Sequence, residues 1–165
     1  MQIFKPLRPV GLNFFETANL RVTTHFEANC SRERLMETLR GDTVWTQWAP
    51  ALKKVEWTCA RPFGQGATRT VHLAGGQAVK ENFFHWEEGK HIAFYVVEAT
   101  IDGIESFAEN YLIEACADGK KTRLTWTVAI QVTGVGALFI PVSRFFMTFF
   151  FKRWMNNYKQ LLERG

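Results

Sequence analysis

The chain has 165 residues, of which 47% are hydrophobic and 22% are charged, and its formal net charge is +4. This length fits a single domain with a sizeable core, and this composition excludes an intrinsically disordered chain. The small positive charge is compatible with a nucleic-acid or anionic-membrane partner but requires neither. Fifteen phenylalanines and six tryptophans are an unusual content, which indicates a large core or an aromatic-lined cavity.

Residues 1–13 are predicted to be a lead-in, because two prolines interrupt them, and residues 14–165 to be one domain. The lead-in has no apolar core of the length that a signal peptide needs. The cysteines lie far apart and lack the spacing of a zinc site: they are Cys30, Cys59 and Cys116. We therefore expect reduced thiols in a cytoplasmic protein, with no metal and no cofactor.

Residues 14–28 are predicted to form a strand, since apolar and polar side chains alternate along their second half. Two short helices follow. Ser31 is suited to cap the first of them, and residues 42–48 form the second. Trp45 and Trp48 share one face of that helix because they lie three positions apart. They are either plugs of the core or part of the mouth of a pocket.

The middle of the chain is predicted to be an antiparallel meander, because turn sequences recur between segments of alternating character. The predicted strands are residues 53–58, 67–73, 78–86, 91–100, 104–115 and 121–132. A strand, two short helices, a run of strands and a final helix indicate an α+β domain whose curved sheet wraps the last helix.

The last stretch, residues 134–164, is the most apolar and predicts one long helix. Pro141 lies early, where its missing N–H is tolerated. Apolar side chains lie almost all round this helix, so we expect the rest of the chain to cover it on more than one side.

A membrane span is the alternative for this stretch. Its apolar run of about 17 residues is at the short end of what a span needs, and Arg144 near the middle is unfavourable in hydrocarbon. We therefore expect no transmembrane segment. Peripheral membrane contact and a homodimer remain open. No basic stripe with exposed aromatic residues is present, so we expect no nucleic-acid partner.

The order of elements and three stretches of sequence resemble a known superfamily. The stretches are RPFGQGATRTV (61–71), KENFFHWEEGKHIAFYV (80–96) and FAENYLIEACADGKKTRLTW (107–126). The chain resembles the SRPBCC superfamily of START-like, polyketide cyclase/dehydrase-like and birch-pollen-allergen-like proteins over roughly residues 15–162. The resemblance implies a helix-grip fold, in which a curved antiparallel sheet wraps a long C-terminal helix, with two short helices after the first strand.

The resemblance also implies a hydrophobic cavity between the sheet and the C-terminal helix. Members bind lipids, sterols or polyketides, and some catalyse cyclisation or related chemistry, so the fold does not fix one function. Because side chains alternate along a strand, each strand offers two registers. With the more apolar register facing inward, the predicted ligand-binding residues are Arg69, Glu81, Phe83, Phe94, Glu98, Phe107, Glu109, Tyr111, Trp126 and Phe149.

A carboxylate in such a cavity needs a partner, or its pKa rises and it becomes a candidate acid or base. The candidate catalytic residues are Glu109, His85 and Glu81. The alternative for Arg69 and a glutamate is a cross-strand pair that fixes the register. The alternative for His85 is a position at the rim of the pocket or facing solvent.

Three functions therefore stand, in this order. The first is a binding module for a hydrophobic or amphipathic small molecule, lipid- or polyketide-like. The second is an enzyme of the polyketide cyclase/dehydrase type, with a pocket Glu, His or Tyr as acid or base. The third is an interaction protein that uses the apolar helix, which predicts a filled cavity and a helix face that its own sheet leaves uncovered.

Overall fold

The computed structural model describes residues 3–116 and 119–164 and has the predicted helix-grip architecture. Its elements are β1 (Lys5–Pro6), α1 (Phe14–Thr17), β2 (Leu20–Ala28), α2 (Arg32–Arg40), α3 (Val44–Trp48), β3 (Leu52–Trp57), β4 (Thr68–Leu73), β5 (Ala78–Glu87), β6 (His91–Ala99), β7 (Ile104–Cys116), β8 (Lys121–Val132) and α4 (Ile140–Arg164).

Among the described residues, eight strands form one antiparallel sheet. Seven follow the order β2-β8-β7-β6-β5-β4-β3, and the short β1 pairs with β6. The first helical pair, α2 and α3, lies between β2 and β3 in the chain. The main core lies between α2, α3, α4 and the facing side of the sheet, which we call the inner face.

The lead-in joins this sheet. The N–H groups of Leu7 and Arg8 donate to the carbonyls of Val97 (2.8 Å) and Glu105 (2.9 Å), so the segment bridges β6 and the start of β7. Leu7 is 6% exposed and belongs to the main core.

The strand predicted over residues 14–28 is wrong in its first part, where the structure has the helix α1. Phe14 and Ala18 pack against Ala108 and Ala129 on the opposite, outer face of the sheet. The two small alanines leave room for one helical turn, and Phe14 and Ala18, four positions apart, lie on the same side of it. Tertiary packing therefore decides this segment against its strand propensity.

The prediction that the long helix is covered on more than one side is wrong for its first half. A 3₁₀ turn over Gly134–Phe139 precedes α4, and Pro141 is the second residue of the helix. In α4 only Met155, Tyr158 and Leu162 are buried. The helix runs along β2, since Arg144 donates to the carbonyl of Asn19 and Glu163 accepts from the N–H of Asn29. The sheet therefore covers one side, and the apolar residues of the first half face outward.

By length and composition alone, the stretch Gly134–Arg164 is apolar enough to cross a membrane, and its most apolar part is not buried in the domain. Its second half, by contrast, contributes to the main core through Met155, Tyr158 and Leu162. A helix that crossed a bilayer along its full length would withdraw these three side chains from the core.

Candidate functional site

A cavity of about 200 Å³ lies between the inner face of the sheet, α3 and α4. Trp45 and Trp48 of α3 are both buried and line it, so they are core residues and pocket residues at once. Phe151 and Trp154 of α4 close the opposite side. Most of the remaining wall is aliphatic side chains of the sheet, so an apolar molecule finds few polar atoms there.

Arg69 and Glu81 form a buried ion pair in this wall. They lie opposite each other on β4 and β5, and the Nε of Arg69 donates to a carboxylate oxygen of Glu81. The two residues are only 2% and 5% exposed. The predicted cross-strand pair and the predicted cavity position therefore both hold, since one pair does both.

Aromatic rings surround the Arg69 guanidinium. Its Cζ lies 4.1 Å from the ring centroid of Trp45, 4.9 Å from that of Phe94, 5.0 Å from that of Phe83 and 5.4 Å from that of Trp57. Cation–π attraction to these ring faces offsets part of the loss of hydration. The Nη1 atom is buried and has no hydrogen-bond partner within residues 3–116 and 119–164.

Glu109 and Tyr111 alternate on β7 and so face the cavity together, as the sequence predicted. The Tyr111 hydroxyl donates to Glu109 Oε2, and the indole Nε1–H of Trp126 donates to the same oxygen over 2.9 Å. Trp126 is the cross-strand partner of Tyr111 on β8. Two donors thus hold one carboxylate oxygen in place.

Burial dominates the protonation behaviour of this cluster. Burial and then the nearby charge of Glu81 raise the pKa of Glu109 to about 7, although Tyr111 and Trp126 oppose the rise. Burial also raises the pKa of Glu81, against the attraction of Arg69, and that of the Tyr111 hydroxyl. A carboxyl group that titrates near neutral pH can accept or donate a proton under ordinary conditions.

Six of the predicted ligand-binding residues line the cavity: Arg69, Glu81, Phe107, Glu109, Tyr111 and Trp126. Phe83 and Phe94 are buried, but they lie against Arg69 in the layer behind the wall. Phe149 was predicted to line the cavity and does not, because it is 59% exposed on the outward side of α4.

Glu98 was predicted to face the cavity and does not. The pairing of β5 with β6 shifts by one residue between Lys80 and Glu81, and this bulge turns Glu98 to the outer face. There its carboxylate pairs with Lys80 over 2.6 Å. A bulge inverts the facing of every later side chain, which simple alternation cannot reveal.

His85 was a candidate catalytic residue, and the structure places it outside the cavity. A second register shift between Asn82 and His85 makes it the partner of Ala93. Its ring lies 4.2 Å from that of His91, which bonds to Asn110 on the outer face. The alternative prediction, that His85 lies away from the cavity, describes its place.

Sequence reasoning missed the ring of Trp57, which packs over Arg69 as its cross-strand partner on β3. Val55 and Trp57 alternate inward on that strand, and this alternation was the available sequence pattern. In the part of the chain that the structure describes, no cluster of three or more His, Cys, Asp or Glu side chains could hold a metal ion.

Comparison with known proteins gives this geometry a context. Residues 19–164 match the model of the family described as polyketide cyclase / dehydrase and lipid transport. An uncharacterized protein of Mycobacterium tuberculosis is 34% identical over 155 residues, which are 94% of this chain and 92% of that protein. An uncharacterized protein of Mycobacterium bovis is similar to the same extent.

Two solved structures share the fold at low sequence identity. A START superfamily protein from Mycobacterium smegmatis has a TM-score of 0.65 and 14% identity, over 86% of this chain and 99% of its own. Ara h 8.0201 also has a TM-score of 0.65 and 14% identity, over 88% of this chain and 98% of its own. The chain therefore belongs to the polyketide cyclase / dehydrase and lipid transport family, within the SRPBCC superfamily of START-like helix-grip proteins.

Proposed function

We propose that the cavity binds a hydrophobic or amphipathic small molecule, lipid- or polyketide-like, with one polar acceptor beside Arg69. The family and the fold support ligand binding in general. The observation that carries the finer proposal is an apolar cavity whose wall holds a buried guanidinium with Nη1 left unpaired among the described residues. An unpaired buried donor costs about 1–3 kcal/mol, which a carbonyl, hydroxyl or carboxylate of the ligand would recover.

The size of the cavity constrains the ligand. A volume of about 200 Å³ is below the roughly 300–1,000 Å³ of typical ligand pockets. The closed cavity therefore suits a compact molecule or one end of a longer one. Leu52, Ile101, Ile104 and Trp154 line the cavity and are only half-buried, and we assign the entrance to their side.

Filling the cavity tests the proposal. Val79 lines the wall and is 8% exposed, whereas Val97 on the neighbouring strand is 36% exposed on the other face. Titration with a fluorescent fatty acid should give saturable one-to-one binding to the wild type and to Val97→Phe. Binding to Val79→Phe should be at least tenfold weaker, because the added ring occupies the space of the ligand.

Thermal unfolding of both variants checks that the domain is intact. Val79→Leu provides a smaller filling change if Val79→Phe does not fold, and it should weaken binding in the same direction. Equal saturable binding to the wild type and to a folded Val79 variant would contradict the proposal.

Acid/base catalysis is the second candidate, and the pKa of Glu109 near 7 is the observation that favours it. Glu109 would exchange a proton with a bound polyketide-like substrate, and Tyr111 would hold the carboxylate in position. Any molecule extracted from the protein can be incubated with the wild type and with Glu109→Gln. Conversion by the wild type alone supports catalysis, and no conversion by either restricts the role of the site to binding.

A further inference from the structure

The outward side of α4 and of the turn before it is a large exposed apolar surface, which we call the outer helix surface. Leu138 is 79% exposed, Phe145 71% and Phe149 59%. Its exposed residues are Val135, Leu138, Phe139, Val142, Phe145, Phe146, Phe149 and Phe150. Each buried aromatic side chain removes roughly 150–250 Å² from water, so these rings exceed the largest apolar patch of an ordinary monomer, about 300–600 Å².

This surface is separate from the core-facing side of the same helix. At 3.6 residues per turn, Val142, Phe146 and Phe149 project away from the side that carries Met155 and Tyr158. The rings contact each other instead, with centroids 5.6 Å apart for Phe145 and Phe146 and 5.5 Å apart for Phe149 and Phe150. The described domain supplies no cover, so the surface needs a partner from outside it.

The charges around this surface identify the partner. Residues 134–162 contain four cationic side chains, Arg144, Lys152, Arg153 and Lys159, and no Asp or Glu. Arg144 and Lys152 line one shallow groove together with Phe145 and Phe149. Exposed rings thus lie directly between exposed cations. Apolar rings bordered by positive charge are complementary to a lipid bilayer with anionic headgroups.

We propose that the outer helix surface docks on an anionic membrane surface, with the first half of α4 lying in the plane of the bilayer. The phenyl rings would enter the boundary between headgroups and acyl chains, and Arg144, Lys152 and Arg153 would contact lipid phosphates. The second half of the helix remains in the core through Met155, Tyr158 and Leu162. The alternative occupant, a second copy of the chain, would bring like charges together on a surface that has no acidic residue.

This inference does not rest on the proposed ligand, because the surface lies on the other side of the helix from the cavity. The test is sedimentation of the full chain with vesicles of phosphatidylcholine alone or of phosphatidylcholine with phosphatidylglycerol. We expect binding to the mixed vesicles that weakens with salt and is weaker on phosphatidylcholine alone. Phe145→Ser combined with Phe149→Ser should abolish binding to both.

Removing charge should act on the anionic vesicles only. Each Lys or Arg near an anionic surface changes affinity roughly fivefold, so Lys152→Ala combined with Arg153→Ala should weaken binding roughly 25-fold. The matched controls are Leu112→Ser, an exposed apolar residue on β7, and Lys120→Ala with Lys121→Ala, two exposed lysines elsewhere. Both controls should bind as the wild type does.

Light scattering on the same samples separates the alternative partner. A soluble dimer that the two serine substitutions dissociate, without vesicle binding by the wild type, would overturn the proposal and assign the surface to a second copy. A monomer that ignores both vesicles would overturn it as well, and so would a serine variant that binds like the wild type. The substituted positions are exposed, so the variants should keep the thermal stability of the wild type.

Discussion

At the residue scale, the properties of the site follow from an excess of buried acid over buried base. Glu81 and Glu109 share the cavity wall with one cation, Arg69. Full ionisation of all three would leave one uncompensated negative charge in an apolar region, which is strongly unfavourable. Glu81 lies in direct contact with Arg69, so Glu109 is the group whose protonation relieves the excess near pH 7.

This gives a definite pH dependence of stability. The pKa of Glu109 is raised from its usual 4.5 to about 7 in the folded protein, so the folded state holds the proton more tightly than the unfolded chain does. The contribution to the free energy of unfolding is therefore full below pH 4.5, declines as the pH rises to about 7, and is lost above that. The shift corresponds to at most about 3 kcal/mol.

Urea denaturation of the wild type and of Glu109→Gln between pH 4.5 and 8 measures this contribution. The glutamine oxygen can still accept from Tyr111 and Trp126 but cannot titrate, so the variant should lose most of the decline. The difference between the two proteins removes the effects of other titrating groups. Identical slopes would show that Glu109 is ionised across this range.

Strand alternation predicted Arg69, Glu81, Glu109 and Tyr111 correctly as cavity-facing side chains, because those stretches of β4, β5 and β7 are regular where they lie. It failed for Glu98 and His85, since each lies beyond a register shift in the pairing of β5 with β6. The extra residue of a bulge leaves no mark in the hydrophobic pattern, so the sequence could not reveal the inversion.

At the scale of elements, local rules account for where the helices begin and end. The Ser31 hydroxyl accepts from the N–H of Arg34 over 3.1 Å, as the N-cap of α2 was predicted to do. The extent of the final helix was predicted well, with Ile140 as its first α-helical residue. The sequence could not show which side the sheet would cover, because apolar residues lie almost all round.

The cap of α2 can be tested against a natural control. Ser31→Ala should lower the free energy of unfolding by about 1 kcal/mol, because one N–H of the first turn loses its acceptor. Thr43 occupies the corresponding position before α3, and its side chain makes no capping hydrogen bond. Thr43→Ala should therefore change stability by less than about 0.5 kcal/mol. Equal losses in chemical denaturation of the two variants would show that the Ser31 hydrogen bond contributes nothing specific.

At the scale of the whole molecule, the fold separates two apolar surfaces by the thickness of one helix. The cavity lies on the inner side of α4, with Phe151 and Trp154 in its wall, and the outer helix surface lies on the other. The fold class was predictable from the order of elements and turns. The division of fifteen phenylalanines between core, cavity wall and surface was not, because it depends on how far the sheet curls around the helix.

The central claim is that the cavity binds a hydrophobic or amphipathic small molecule. Native mass spectrometry of freshly purified protein, with organic extraction of whatever it carries, tests this claim most directly. The account predicts a reproducible extra mass on the wild type and on Val97→Phe that leaves on denaturation and is absent from Val79→Phe. Wild-type protein that shows only its own mass, and still does so after incubation with fatty acid, would contradict the claim.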